Sequence, residues 1–228
     1  VTRVLVEHPS VKKINFTGST TVGRVIATLA GKNVKPVLME LGGKASTLVF
    51  PGADLRQAAI ACARGSFIHA GQICMACERI VVQSTIADAF VAELRTAMDE
   101  TFGSSGHDGS TQQLLMGSMA GVQKTKQLVR QALQAGAVPL IGSEGEAEPT
   151  GGDSRRTPRM APVVLKGVTK EMDIYYMESF GPVVSLITVD SEEEAVVVAN
   201  DTEYGLSAAV FTSNLQQGLR VAKKIESG

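Results

Sequence analysis

Apolar runs that each stop at a glycine turn constrain the fold of this chain more than any other feature. Val11-Lys12-Lys13-Ile14-Asn15-Phe16 stops at Thr17-Gly18-Ser19, and Val37-Leu38-Met39-Glu40-Leu41 stops at Gly42-Gly43. Ala45-Ser46-Thr47-Leu48-Val49-Phe50 stops at Pro51-Gly52. Stretches of helical length follow the first and third runs. Thr20 to Leu29 reads as a helix with Ser19 or Thr20 as N-cap, and Asp54 caps a second that runs to about Gly65. Strand, glycine turn, helix, strand is the order of a parallel α/β sheet, whose neighbouring strands need a crossover long enough to hold a helix.

The same reading extends to the rest of the chain. Arg79 to Gln83 is a strand, and the helix after it carries Ile86, Phe90, Val91, Leu94 and Met98 on one face, a 3.6-residue period. A helix from Met119 to Ala135 ends at Gly136, a fitting C′ residue. Val183, Ser185, Ile187 and Val189 alternate inside a strand, and Ser191-Glu192-Glu193-Glu194 forms a capping box that leads into a helix to Asn200. Leu206 to Phe211 reads as a last strand and Leu219 to Ile225 as a last helix. Gly103 to Gly109 reads as a loop, and Glu144 to Pro158 as an exposed loop or hairpin. There is no internal repeat and no low-complexity tract.

At 228 residues the chain is long enough to bury a core, with 44% hydrophobic and 20% charged residues. A formal net charge of −1 gives no electrostatic case for nucleic acid or an anionic membrane. No apolar run approaches the ~20 residues that span a bilayer. Val1 to Glu7 lacks the basic region, apolar core and cleavage site of a signal peptide, and there is no initiator Met. Three cysteines do not make a disulfide framework, so a reducing, cytoplasmic setting is expected. Cys62, inside Ala58-Ala59-Ile60-Ala61-Cys62-Ala63, reads as a small core residue.

Chemistry concentrates at Gly71-Gln72-Ile73-Cys74 and at Met39-Glu40-Leu41-Gly42-Gly43-Lys44. A thiol and a carboxylate, each beside glycines, are equipment for covalent catalysis at a carbonyl followed by hydrolysis: Cys74 can form a thioester, and Glu40 can activate the water that breaks it. Glu40 within an apolar strand reads either as a buried structural carboxylate with a backbone or Arg partner, or as a general base raised toward neutrality by that burial. Cys74 and Cys77 form a Cys-x-x-Cys pair. A structural zinc needs four ligands, and the remaining Cys62, His8, His69 and His107 are scattered, so no metal is expected. A Cys74–Cys77 disulfide under oxidation stays open. Gly18-Ser19-Thr20-Thr21-Val22-Gly23 opens a helix after a strand, where backbone N–H groups meet phosphate, but alone such a turn usually only joins elements. Gly42-Gly43-Lys44 is followed by Ala45, so it is not a P-loop. Glu192-Glu193-Glu194 fits a solvated helix N-terminus favoured by the helix dipole.

Taken in order, Phe16-Thr17-Gly18-Ser19-Thr20-Thr21-Val22-Gly23, Glu40-Leu41-Gly42-Gly43-Lys44, Gly71-Gln72-Ile73-Cys74 and Glu178-Ser179-Phe180-Gly181-Pro182 resemble the aldehyde dehydrogenase superfamily over nearly the whole chain. The resemblance implies a three-layer, open, mostly parallel sheet flanked by helices. Residues 1–42 would be the end of a Rossmann-like dinucleotide-binding domain and 43–228 a catalytic thiol domain. It implies NAD or NADP as cofactor, with NAD preferred, bordered by Gly18, Ser19, Val22, Leu41, Gly42, Gln123, Glu178 and Phe180. Ser19 would lie near phosphate, Val22 against adenine, Glu178 on the nicotinamide ribose and Phe180 beside the nicotinamide. His69 falls where such enzymes often carry Asn and reads as a neighbour of the thiol. Gln72-Ile73-Cys74-Met75 with Cys77-Glu78-Arg79-Ile80 looks like the aromatic-aldehyde branch (benzaldehyde, salicylaldehyde and vanillin dehydrogenases), with a semialdehyde as the next candidate substrate. The family also carries an upstream oxyanion-hole Asn, an adenine-ribose Lys, and a downstream Pro-Phe-Gly-Gly segment with an oligomerisation strand. None is in this sequence, so a poorly active fragment of a dimeric or tetrameric parent is expected. Two alternatives stay open: a CoA-acylating relative, against which Glu40 counts, and a non-catalytic structural fragment.

Overall fold

The computed structural model describes residues 2–103, 113–142 and 157–228. Most of the expected loops at 103–109 and 144–158 lies outside them. The described chain forms two compact units, Val1–Gly43 and Lys44–Gly228.

In the first unit, helix α1 (Thr2–Glu7) precedes strand β1 (Ile14–Thr17), helix α2 (Thr20–Lys32) and strand β2 (Val37–Glu40). The strands pair in parallel, Thr17 opposite Glu40. Ser19 is the N-cap of α2, its hydroxyl accepting from the Val22 amide. Val6, Ile26 and Ala30 bury against Ile14, Phe16, Leu29 and Met39, so the helices cover one face of the two-stranded sheet. The other face carries Leu38, which is 45% exposed. Glu40 lies in that same register and is exposed. The burial expected of it from its apolar neighbours is therefore not found. A run of apolar residues implies burial on both faces only where both faces of the sheet are covered.

The second unit is built on a six-stranded sheet ordered β10-β3-β4-β9-β8-β6. These strands are β3 (Ala45–Val49), β4 (Cys77–Gln83), β6 (Val138–Ile141), β8 (Val163–Lys166), β9 (Val183–Val189) and β10 (Ala208–Phe211). All neighbours are parallel except β6 with β8. A separate two-stranded antiparallel pair joins β5 (Leu114–Leu115) to β7 (Arg159–Met160). Side chains alternate between faces, as a pleated strand requires. Val49, Ile80, Val82, Val164, Val184 and Leu186 face helices α3 (Leu55–Phe67) and α4 (Ala87–Phe102). On the opposite side, Val163, Leu165 and Val183 meet α5 (Met119–Gln134), while Leu48, Phe50, Val81 and Val189 meet α7 (Glu192–Asn200) and α8 (Leu215–Ala222). A one-turn helix, α6 (Asp173–Tyr176), also packs on α5. The result is the expected three-layer α/β architecture.

Local rules account for most helix ends. Asp54, Ser118, Ser191 and Asn214 each accept the amide three residues on. Asn214 moves the start of the last helix to Leu215, ahead of the expected Leu219. Gly136 follows α5 with φ +104°, the C′ conformation that glycine adopts without penalty.

Two anchors hold α7 in place. Its C-terminal carbonyls, Val198 and Ala199 with Asp201 beyond, accept from the buried Arg79 guanidinium, whose Nε donates to the Lys44 carbonyl. At the N-terminal end, Glu192 accepts from Arg220 Nε and Nη2, both at 2.7 Å, and from Gln217. The Arg220 hydrogen bonds hold the Glu192 carboxyl down at about 2, from an ordinary 4.5. A depressed carboxyl contributes stability above its unfolded pKa and loses it as pH falls toward the folded one. Arg220→Ala is therefore expected to lower unfolding stability by about 0.5–1 kcal/mol at neutral pH, the scale of an exposed pair. In urea melts that gap should close between pH 4.5 and 2; a gap that persists at pH 2 would show another origin.

Candidate active site

Cys74 lies between a tight 3₁₀ turn, Ile68–Gly71, and β4. The turn has left-handed backbone at His69 (φ +51°), Ala70 (+58°) and Gly71 (+68°). Such backbone is strained for residues with a Cβ, so it persists only where the surroundings hold it. Gly71 meets a second constraint: a Cβ there would sit 2.3 Å from the Gly181 carbonyl oxygen. Only glycine lets the two backbones approach that closely. The loop that carries the thiol is thus in direct contact with the turn Glu178-Ser179-Phe180-Gly181-Pro182.

Gln72 fixes the other side of the loop. Its Nε2 donates to the carbonyls of His69 (2.8 Å) and Leu115 (3.1 Å), and its Oε1 accepts from the Gly117 amide (2.7 Å). Cys74 itself is partly exposed, and Met75 beside it is 60% exposed. Cys62 and Cys77 are buried, and all three thiols are free. The Cys62 thiol is pushed up, first by its hydrogen bond with Cys77 and then by burial. Cys77 thus points into the core toward Cys62, and the reachable sulfur is Cys74. Among the described residues no three His, Cys, Asp or Glu side chains gather as a metal site would require. An apolar hollow of about 530 Å³ borders the turn at Phe67, Ile68, Phe102 and Met116. Cys74 is not among the residues that line it.

The 178–181 turn is held from two directions. From α5, Lys124 Nζ donates to the Glu178 carbonyl (2.8 Å) and Thr125 Oγ1 to the Ser179 carbonyl (3.4 Å). Thr125 also lies so close to Gly181 that a Cβ there would fall 2.3 Å from its hydroxyl. Gln123 is exposed on the same helix, and its two successors make the contacts. From the core, Glu78 accepts from the amides of Ser179 and Phe180 and from the Ser179 hydroxyl, and it pairs with Lys44 Nζ at 2.6 Å. Held this way, Phe180 keeps a left-handed backbone (φ +49°), and the residue is 42% exposed. Sequence reasoning missed Lys44, Glu78, Lys124 and Thr125. The signal available was Glu78-Arg79, two charges placed inside a strand.

In the first unit the remaining candidates lie together. The Gly18 amide donates to the Glu40 carbonyl (3.0 Å). A Cβ at Gly23, on the first turn of α2, would meet the Leu41 side chain at 2.6 Å. Gly18, Ser19, Val22, Glu40, Leu41 and Gly42 therefore surround one end of the β1–β2 pair and the N-terminus of α2. That end presents backbone N–H groups, and Val22 is 47% exposed there.

The family model for the aldehyde dehydrogenase family matches residues 1–228. The chain is 39% identical over 227 residues to a vanillin dehydrogenase of Pseudomonas fluorescens, covering 98% of this chain and 44% of that one. A benzaldehyde dehydrogenase of Bacillus subtilis (strain 168) is 42% identical over 228 residues, at the same two coverages. Among solved structures, a salicylaldehyde dehydrogenase from Pseudomonas putida G7 complexed with salicylaldehyde superposes with a TM-score of 0.87 at 35% identity, over 100% of this chain and 45% of that one. An NAD-dependent aldehyde dehydrogenase from Sinorhizobium meliloti gives 0.89 at 37%, over 100% and 44%. The chain spans less than half the length of the curated relatives it matches.

Proposed function

The chain belongs to the aldehyde dehydrogenase family, and on that premise we propose that it carries the nucleophile, the hydrolytic base and the nicotinamide-side contacts of an NAD(P)-dependent enzyme that oxidises an aromatic aldehyde to its carboxylic acid. The observation that carries this reading is the Gly71–Gly181 contact, which sets the loop of a reachable thiol against the turn bearing Glu178 and Phe180. Its aromatic part rests on the vanillin, benzaldehyde and salicylaldehyde dehydrogenases among the relatives. Met75 supplies a polarizable contact for a ring beside the sulfur. In the same reading, residues 1–42 belong to a cofactor domain and 43–228 to the thiol domain. NAD is the preferred cofactor, and the full-length protein works in the cytoplasm as a dimer or tetramer.

The residues fit a dinucleotide by their chemistry. Glu178 is an acceptor suited to ribose hydroxyls. Phe180 is a partly exposed apolar residue, and Ser19 with Gly18 sits at a helix N-terminus suited to phosphate. When bound, the oxidised nicotinamide supplies the hydride acceptor. The chain's own residues do the rest. Cys74 thiolate adds to the carbonyl carbon, and the thiohemiacetal oxyanion needs a donor such as the Cys74 amide. After hydride loss the acyl group is a thioester on Cys74. Glu40 takes a proton from water, the hydroxide adds to the thioester, and the thiolate leaves with the carboxylic acid released. An exposed carboxylate at the end of β2 is open to the water it must activate. Sulfur suits both halves, being a strong nucleophile and a good leaving group.

Glu40→Gln tests this reading. With aldehyde and NAD+, the full-length variant should give a burst of about one NADH per Cys74 and a steady state about 10²-fold or more below wild type. Mass spectrometry should find the acyl group on the Cys74 peptide. A variant that loses the burst along with turnover, with Cys74 unmodified, would count against a hydrolytic role for Glu40.

A further inference from the structure

Glu78 is 4% exposed, at the start of β4 and four residues beyond Cys74. Its carboxylate is fully engaged, yet by none of the usual surface partners. Lys44 Nζ approaches at 2.6 Å, the Ser179 amide at 2.9 Å to both oxygens, the Ser179 hydroxyl at 2.9 Å and the Phe180 amide at 3.1 Å. Two consecutive backbone N–H groups converging on one anion, with the second residue left-handed, form the kind of concavity in which backbone dipoles bind anions. Here the anion is a side chain. Lys44 completes the grip from the other side, since its ammonium also donates to the Met177 carbonyl at 2.8 Å. The turn is thus gripped on its carbonyl before Glu178 and on the two amides after it, while the Phe180 side chain is 42% exposed.

We infer that Glu78 is a positioning residue for the cofactor side of the site: by holding the Ser179 and Phe180 amides on the strand that follows the nucleophile, it fixes where Glu178 and Phe180 stand relative to Cys74. The inference rests on the reading that Glu178 and Phe180 face the nicotinamide half of the cofactor. A buried carboxylate with a buried lysine is a costly way to tie down a turn, because both charges are desolvated. Its advantage is stiffness. Charge-assisted bonds to successive amides hold the left-handed Phe180 more firmly than neutral ones would. A loose turn would bind cofactor more weakly and would leave the thiol untouched.

The test is Glu78→Gln in the full-length enzyme. The side chain keeps its shape and one acceptor oxygen but loses the charge and the second acceptor. Amide exchange over 177–182, followed by mass spectrometry without cofactor, should accelerate by about tenfold or more beyond any common acceleration of β3 and β9 that the unpaired Lys44 charge brings. The KM for NAD+ should rise by about tenfold, with kcat at saturating NAD+ falling by less than about threefold and iodoacetamide labelling of Cys74 within about twofold. Wild-type exchange at 177–182 would overturn the proposal. So would exchange at 177–182 that rises only in step with the whole sheet and with labelling, which is the mark of a merely structural role. If Glu78→Gln does not fold, Ser179→Ala carries the test: it removes one donor, keeps the ion pair and should move exchange and KM in the same direction by about threefold. Unchanged values there would likewise end the proposal. Phe180→Ala separates the two layers of argument. If it leaves the KM for NAD+ at wild type, the cofactor reading of the turn fails, whereas the exchange result reports the grip of Glu78 regardless.

Discussion

Cys74→Ala is expected to abolish aldehyde oxidation and ester hydrolysis in the full-length enzyme, by about 10⁴-fold or more, as loss of a covalent nucleophile does elsewhere. The size follows from the number of tasks on one atom. In the proposed function the sulfur forms the bond that makes hydride loss possible, and it is also the leaving group in hydrolysis. No neighbour can take its place. Cys77 is buried in the core beside Cys62, and Met75 has no proton to lose. In the folded protein iodoacetamide should label Cys74 while the Cys62 and Cys77 peptides stay unlabelled, since those two thiols are buried. Cys74→Ser separates the tasks, because an oxygen nucleophile would leave a more stable ester that Glu40 must then hydrolyse. NADH formation and p-nitrophenyl acetate hydrolysis read both activities. Aldehyde oxidation retained by Cys74→Ala would remove the nucleophile from the proposed function.

Much of this could be read from the chain because it is written locally. Ser19, Asp54 and Ser191 announce helix starts within three residues of themselves, and the alternation of Val183 to Val189 sets two faces of one strand. The strands β6 and β8 were not legible for equally local reasons. Pro139 sits inside β6 and argues against a strand, yet it is tolerated because β6 is the edge of the sheet. Pro162 directly precedes β8 and shortens the apolar run that would have marked it. The site divides the same way. Cys74, Glu40 and the Glu178–Pro182 turn are short motifs, whereas Lys44, Glu78 and Ser179 come together from 34 and 101 positions apart. No window on the sequence joins them. Glu40 reads as buried but is exposed, because apolar neighbours along a strand say nothing of what covers its other face.

That long-range pair carries the second large effect. Lys44→Met should destabilise the folded chain by about 3–5 kcal/mol, the cost of leaving a buried charge without its partner. Lys44 is 2% exposed, and burial pushes its pKa below the ordinary lysine value, with Glu78 opposing that shift. Methionine fills nearly the same volume, so packing loss is small and the electrostatic cost dominates. The carboxylate of Glu78 would keep its bonds from Ser179 and Phe180, but in an apolar interior three neutral donors do not replace an ammonium at 2.6 Å. Lys44→Met/Glu78→Gln should recover much of the loss, because removing both charges also removes both desolvation costs. Urea unfolding of the four proteins in one cycle measures the coupling directly. A strongly non-additive cycle with the double variant above Lys44→Met makes the pair a device of local geometry rather than of net stability, which is the distinction the proposed role of the 178–181 turn requires. An additive cycle would mean that the two charges do not sense each other, and the grip on Ser179 and Phe180 would then have to be explained by backbone packing alone.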